Sequence, residues 1–201
     1  FMTTILHNEQ IKKLVTLNKD LLPVIEEAFV SLTEGKAITP PIMRLDIAEF
    51  HGEADVKTAY IKGLDSFAIK VAVGYFKNPS IGLPSSNGLM ILFDSKTGII
   101  KAVLLDEGFL TDIRTAIAGA IASKYLANLN VSNVGIIGNG MQAQLQLQAL
   151  MLVRNPTTAY IWGRNKSKTI SYIDSMKKKI NINFIECTDV KSLCEKSEII
   201  I

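Results

Sequence analysis

The segment "GIIGNGMQAQLQLQAL", from Gly135 to Leu150, restricts the fold more than any other part of the chain. A short apolar run meets glycines at Gly138 and Gly140, and the residues after them lack glycine and proline and are rich in leucine, glutamine and alanine. That order predicts a strand, a tight turn and a helix. The alternation continues with "AYIWG", a helix through "SKTISYIDSMKKK", "INFIE", a short helix from Asp189 and "EIII". Strands alternating with helices specify a parallel sheet with crossover helices, so the expected fold class here is a doubly wound, Rossmann-type α/β sheet. Ending on "SEIII", the sheet is expected to be truncated, because such sheets usually run to about five or six strands.

The residues before it read differently. Apolar positions from Leu14 to Leu32 recur every three or four residues, predicting helix over 8–34 with a break between Asn18 and Pro23. Gly35 closes it, and Pro40-Pro41 forces an extended chain. From Ile42 to Asp106 the pattern becomes strand-like, in "IMRLDI", "VKTAYI", "FAIKVAVGYF", "GLMILFD" and "GIIKAVLLD", with "DSKTG" as a hairpin turn between the last two. A long helix follows, with Thr111 as its expected N-cap. The expected organisation is an α+β domain over residues 2–127 followed by a partial Rossmann domain over 128–201.

Gly138-Asn139-Gly140-Met141-Gln142-Ala143 fits G-x-G-x-x-A directly after a strand and at the start of a helix. Gly138 would permit the tight turn, Gly140 the close approach of backbone to a pyrophosphate, and Ala143 close packing of helix on strand. The unpaired N–H groups of the helix start would face the phosphate charge. A glycine turn that merely joins strand to helix is the plainer alternative. An unmodified ribose usually meets a carboxylate at the end of the second strand, about 20 residues on. Here the chain has Gly163-Arg164-Asn165, with Lys166 and Lys168 following, which favours NADP over NAD. A solvated arginine at a helix start would leave the choice open.

Composition narrows the partners. At 201 residues and 48% apolar content the chain can build proper cores, and a net charge of +3 spread along it gives no basic block for nucleic acid. Cys187 and Cys194 match no metal or redox spacing, and His7 and His51 are too few for a histidine-based metal site. A reducing cytoplasm is the expected setting, with no metal. No apolar run approaches the ~18 to 20 residues of a membrane span. Phe1 before Met2 reads as an addition to the natural start.

Three cations stand out upstream. Arg114 is expected in the first turn of its helix, where a cation opposes the helix dipole and needs another reason to be there. Arg44 and Lys70 lie on predicted strands, and Lys70 interrupts an apolar run. Each alone also fits a salt-bridge or edge-strand role. Together they suggest a pocket for the carboxylate of an amino or keto acid.

The segments "IKVAVGYFKNPSIGLPSSNGLMILFDSKTG", "AVLLDEGFLTDIRTAIAGAIASKYLA" and "VGIIGNGMQAQLQLQAL" occur in an order that resembles the ornithine cyclodeaminase/mu-crystallin family. "NPSIGLPSSNG" is most similar to a bacterial branch that includes ectoine-utilisation proteins. The resemblance implies a substrate-binding and dimerisation domain beside a Rossmann domain, hence a homodimer. It places Arg44, Lys70 and Arg114 at substrate-binding positions, the arginines on the carboxylate and Lys70 beside the reacting carbon as a catalytic residue. Ser85, Thr115, Gly138, Asn139, Gly140, Met141 and Gln142 fall at cofactor-binding positions, and Arg164 and Asn165 follow at the ribose. The family's acid/base aspartate is expected beyond residue 201. The implied reaction is conversion of a diamino acid such as L-ornithine to L-proline and ammonia by internal hydride transfer with NAD or NADP. Alternatives are an NADPH-dependent ketimine reductase or alanine dehydrogenase-like enzyme, and a crystallin-like protein that binds NADP(H) without catalysis.

Overall fold

A computed structural model describes residues 2–201; Phe1, read as an addition, lies outside the described residues. Packing divides the chain into two units, one made of residues up to Thr16 with Glu27–Thr111, the other of Leu17–Glu26 with Asp112–Ile201.

The first unit is built on one sheet. Its elements are β1 (Thr4–His7), α1 (Asn8–Leu14), the later part of α2 (Leu21–Thr33), β2 (Ala37–Ile38), β3 (Met43–Ile47), β4 (Gly52–Ile61), β5 (Ser66–Tyr75), β6 (Ser86–Asp94) and β7 (Ile100–Leu105). The strand order is β1-β7-β6-β5-β4-β2, with β3 also paired to β4. The predicted strands are all present, and the helical stretch breaks where expected, leaving Pro23 in the first turn of α2, where a missing N–H costs nothing. Strand β1 is an addition to the expected set; it pairs parallel to β7. In the hairpin turn between β6 and β7, Asp94 Oδ1 accepts from the N–H groups of Lys96 and Thr97 and from the Thr97 hydroxyl. Gly98 closes that turn at φ 69°.

Because side chains alternate along a strand, the register sorts the sheet into two unlike faces. Lys70 lies opposite Lys57 and Met90, and its face carries Asp55, Arg44, Glu53 and Asp46 on the neighbouring strands. The other face carries Val71, Ile69, Phe67, Ile91 and Phe93, with the rings of Phe67 and Phe93 stacked 5.0 Å apart. Apolar residues also reach the open ends of that face: Met43 and Leu45 on β3 and Ile5 on β1 are 65%, 61% and 56% exposed.

Helix α3 (Phe109–Leu126) starts earlier than the sequence suggests. Thr111 is not its N-cap. Glu107 and Gly108 turn the chain at φ 54° and 88°, and the buried Asp106 carboxylate accepts from the Leu110 N–H at 2.8 Å. Thr111 therefore sits in the first turn and Arg114 in the second, where the dipole penalty expected for Arg114 has faded.

In the second unit α3 packs its Ala116, Ile117 and Ala120 face against Leu22 of α2 and Ala149 of α4 (Met141–Leu150). The small alanines let the helices approach closely. Arg154, buried beyond α4, donates to the carbonyls of Lys124, Ala127, Asn128 and Val153 and so closes the C-terminal end of α3 with a cation. The parallel strands β8 (Asn133–Ile137), β9 (Thr158–Trp162), β10 (Asn183–Glu186) and β11 (Ile199–Ile200) lie in the order β10-β9-β8-β11. Helices α5 (Lys166–Lys177) and α6 (Val190–Lys196) connect them, and Val134, Ile136, Leu147, Ile161 and Met176 form the core. Tyr172 is buried in that core with its hydroxyl donating to the Ala143 carbonyl, and burial pushes its pKa up.

Candidate active site

In the second unit the glycine turn joins β8 to α4. Gly138 has φ 122°, a conformation open to glycine, and its N–H donates to the Trp162 carbonyl at 2.8 Å. Gly140 has an ordinary φ of −91°, so its backbone conformation does not require glycine. A Cβ at either position would meet no protein atom within 4 Å. What a side chain at Gly140 would fill is the space above the turn, which is the place a bound group needs. Helix α4 has no side-chain cap at its start, leaving its first-turn N–H groups to an anion. These residues fit a dinucleotide pyrophosphate.

Beside the turn is a cleft of about 350 Å³ lined by Gly138, Asn139, Trp162, Arg164, Asn165 and Lys168. It adjoins residues of a second cleft of about 450 Å³, which adds Lys166, Glu186, Cys187 and Thr188 from the starts and ends of α5 and β10. Arg164 and Lys168 give the first cleft two cations and no carboxylate. Burial pushes the Cys187 thiol up, so it stays protonated near neutrality.

The motif residues divide into those facing the open space and those already engaged. Asn139 Nδ2 donates to Thr169 Oγ1 at 3.1 Å and lies 3.4 Å from the Asn165 carbonyl. Gln142 Nε2 donates to Asp112 Oδ1 at 2.9 Å and to its carbonyl at 3.3 Å, tying α4 to α3. The Asn165 side chain caps α5 by accepting from the Lys168 N–H. Met141 is exposed at the start of α4. Thr115 is half-buried on α3, and Arg114 is exposed on that helix with no ion pair among the described residues.

In the first unit, Lys70 is half-buried in β5 and donates from Nζ to Thr111 Oγ1 at 3.3 Å. The register puts it directly across from Lys57, a like-charge pair that costs stability unless anions sit nearby. Asp55 supplies one: its Oδ2 is 3.0 Å from Lys57 Nζ, and that hydrogen bond, with the charges of Arg44 and Lys70, holds its pKa down. Arg44 is engaged more heavily than the sequence suggests. Its Nε donates to Asp46 Oδ1 at 2.9 Å and its terminal nitrogen to Glu53 Oε2 at 2.6 Å, with the side chain 51% exposed. These partners hold its pKa up, chiefly through the bond to Asp46. Ser85 lines a small cavity of about 160 Å³ with Val73, Tyr75, Asn78 and Asn87. Asn78 pins the preceding Pro84 through its carbonyl at 3.0 Å.

Among the described residues no group of His, Cys, Asp and Glu is placed to hold a metal ion, and no helix is long and apolar enough to cross a membrane.

The strand order, the glycine turn and the bare helix start make the second unit a Rossmann-type dinucleotide-binding fold. The chain belongs to the ornithine cyclodeaminase/mu-crystallin family, whose sequence pattern matches residues 2–201. An uncharacterized cyclodeaminase of Sinorhizobium fredii is 48% identical over 86% of the chain, and a protein of Rhizobium meliloti named as a dehydrogenase is 45% identical over 98%. The chain spans 53% and 60% of the lengths of these two relatives. Among solved structures, the Thermococcus litoralis Δ(1)-pyrroline-2-carboxylate reductase in complex with NADH and L-proline matches 98% of the chain and 61% of its own, at TM-score 0.92 and 32% identity. An archaeal alanine dehydrogenase dimer with bound NAD covers 92% of the chain and 56% of its own, at TM-score 0.84 and 30% identity.

Proposed function

We propose that this chain belongs to an NAD(P)-dependent cyclodeaminase, which converts a diamino acid such as L-ornithine to L-proline and ammonia. The observation that carries the reading is Lys70: a half-buried amine on the charged face of the sheet, with its Nζ donating to Thr111 Oγ1. With Lys57, Asp55 and Arg44 on the same face of the sheet, that amine belongs to a polar cluster suited to a charged amino-acid substrate. The 48% identity to a cyclodeaminase-named relative supports the same reading.

When bound, the nicotinamide would take up and return a hydride at the substrate α-carbon. The protein residues do the rest. Arg114, exposed and without an ion pair among the described residues, takes the substrate carboxylate. Arg44 can take part in substrate binding only by exchanging Asp46 or Glu53 for the ligand. Lys70 stands at the reacting carbon, where its ammonium holds a proton for transfer to the departing amine. Ser85 and Thr115 contact the nicotinamide half, and Gly138, Asn139, Gly140, Met141 and Gln142 form the pyrophosphate turn. Arg164 and Asn165 face the ribose, where the two cations and missing carboxylate favour NADP. The working division is residues 2–127 for substrate and dimer contacts and 128–201 for cofactor, in a cytoplasmic homodimer.

A second reading, reduction of a cyclic imino acid by NADPH, is favoured by the 32% identity to the pyrroline-2-carboxylate reductase and by the cationic ribose cleft. The test gives the full-length protein L-ornithine or L-lysine and follows ammonia together with absorbance at the ~340 nm band of the reduced nicotinamide. Ammonia release at constant absorbance is the expected result. Consumption of NADPH by a cyclic imine, without ammonia from any diamino acid, would replace the cyclodeaminase reading by the second. Lys70→Met is expected to lower kcat/KM at least about 100-fold while leaving nucleotide binding intact.

A further inference from the structure

We propose that Asn139 is a positioning residue which locks the loop carrying Arg164 to the glycine turn, and so sets the preference for a phosphorylated over an unphosphorylated adenosine ribose. The inference rests on the reading that the 350 Å³ cleft takes the adenosine half of the dinucleotide.

Two loops meet in that cleft. One is the glycine turn after β8, and the other is the segment Gly163-Arg164-Asn165 after β9. A directed chain of hydrogen bonds joins them. Asn139 Nδ2 donates to Thr169 Oγ1 at 3.1 Å, and the Thr169 hydroxyl donates onward to the Asn165 carbonyl at 3.1 Å. Thr169 is only 1% exposed, so water does not replace either partner readily. The Asn165 carbonyl also receives the Thr169 N–H at 3.0 Å and faces Asn139 Nδ2 at 3.4 Å. One carbonyl thus gathers the ends of both loops.

Gly163 makes the arrangement sterically possible. A Cβ there would run into Asn139 Nδ2 and come within 2.7 Å of Thr169 Oγ1. Its role is to leave room for the asparagine rather than to adopt an unusual backbone angle. With both amide hydrogens turned toward Thr169 and Asn165, the Asn139 side chain acts on the loop. Backbone N–H groups at the start of α4 remain to meet the pyrophosphate. Releasing the clamp therefore leaves the pyrophosphate contacts in place and loosens the segment that holds Arg164. A guanidinium binds a phosphate well only when its fork is held in register, so the loss falls on the phosphorylated ribose.

Trp162 lines this cleft, so a nucleotide-dependent change in tryptophan fluorescence that is absent from a Trp162→Phe variant reports binding without any turnover. The full-length protein is titrated with NADPH and with NADH. NADPH is expected to bind more tightly, and Asn139→Ala to weaken NADPH by about fivefold, the scale of one neutral hydrogen bond, with NADH changed less than about twofold. Thr169→Val, which keeps shape and removes the hydroxyl, is expected to reproduce that pattern. In an Arg164→Ala background Asn139→Ala should leave the NADPH-to-NADH ratio unchanged, because the group being positioned is gone. Equal weakening of both nucleotides by Asn139→Ala, or the same shift in the NADPH-to-NADH ratio by Asn139→Ala with Arg164→Ala present as without it, overturns the proposal while leaving the cofactor reading standing. Failure of the unaltered protein to bind either nucleotide overturns the cofactor reading itself.

Discussion

Arg154 shows how much one side chain can decide. It is buried, yet each of its guanidinium nitrogens donates to a backbone carbonyl, three of those carbonyls lying at the end of α3 and in the residues just after it. Helix ends leave carbonyls unpaired, and a cation there satisfies them and complements the dipole. Arg154→Met keeps most of the stem and loses all four bonds. Thermal unfolding followed by circular dichroism is expected to show a midpoint lower by roughly 6–12 °C, corresponding to roughly 3 kcal/mol. Arg154 carried no signal in the sequence: a lone arginine before Asn155-Pro156 looks like a solvated loop residue. The Glu53 partner of Arg44 was hidden for a related reason, since it reaches the arginine through strand register and not through proximity in the chain. Gly138 and Gly140 were legible because their meaning is local, being fixed by the strand before and the helix after.

At the scale of elements, carboxylates stabilise turns and helix starts. Asp94 accepts three bonds in the β6–β7 turn, and the Thr97 hydroxyl is the chief reason its pKa is held down. Asp189 caps α6 by accepting from the Ser192 N–H, which lowers its pKa likewise. A carboxyl held below its ordinary 3.8 stabilises the fold while ionised, and that contribution fades as pH falls through the depressed value. Urea midpoints are therefore expected to be insensitive to these groups between about pH 5 and 8 and to fall below about pH 4. Asp94→Asn should make the acid fall shallower. Elements with long periodic patterns were readable in advance, but the start of α3 was not. It depends on Glu107 adopting φ 54° while its carboxylate accepts from Asn8, a partner 99 positions away. Strand β1 is not legible in the sequence because four residues offer too little alternation to tell a strand from a helix entry.

For the whole molecule, the open apolar face of the seven-stranded sheet argues for self-association. Exposed apolar side chains such as Met43 and Leu45 at one end of that face suit a binding surface, and a two-fold dimer buries the same patch on both copies. The proposed homodimer is tested by Met43→Glu with Leu45→Glu, both at exposed positions on that face. Sedimentation velocity is expected to show a dimer for the unaltered full-length protein and a shift toward monomer for the double variant. An unchanged dimer would move the interface elsewhere.

The unlike faces of the same sheet also bear on how the chain reaches its fold. A slip of one residue in the pairing of β5 with its neighbours would turn Lys70 toward the apolar side and send Ile69 and Val71 to the charged one. Each such error would strand ammonium or carboxylate groups among phenylalanine, valine and isoleucine, where none has a partner. Misaligned hairpins are thus penalised as soon as they form. The charges that equip one side of the sheet for a ligand serve, during folding, as an error check on its alignment.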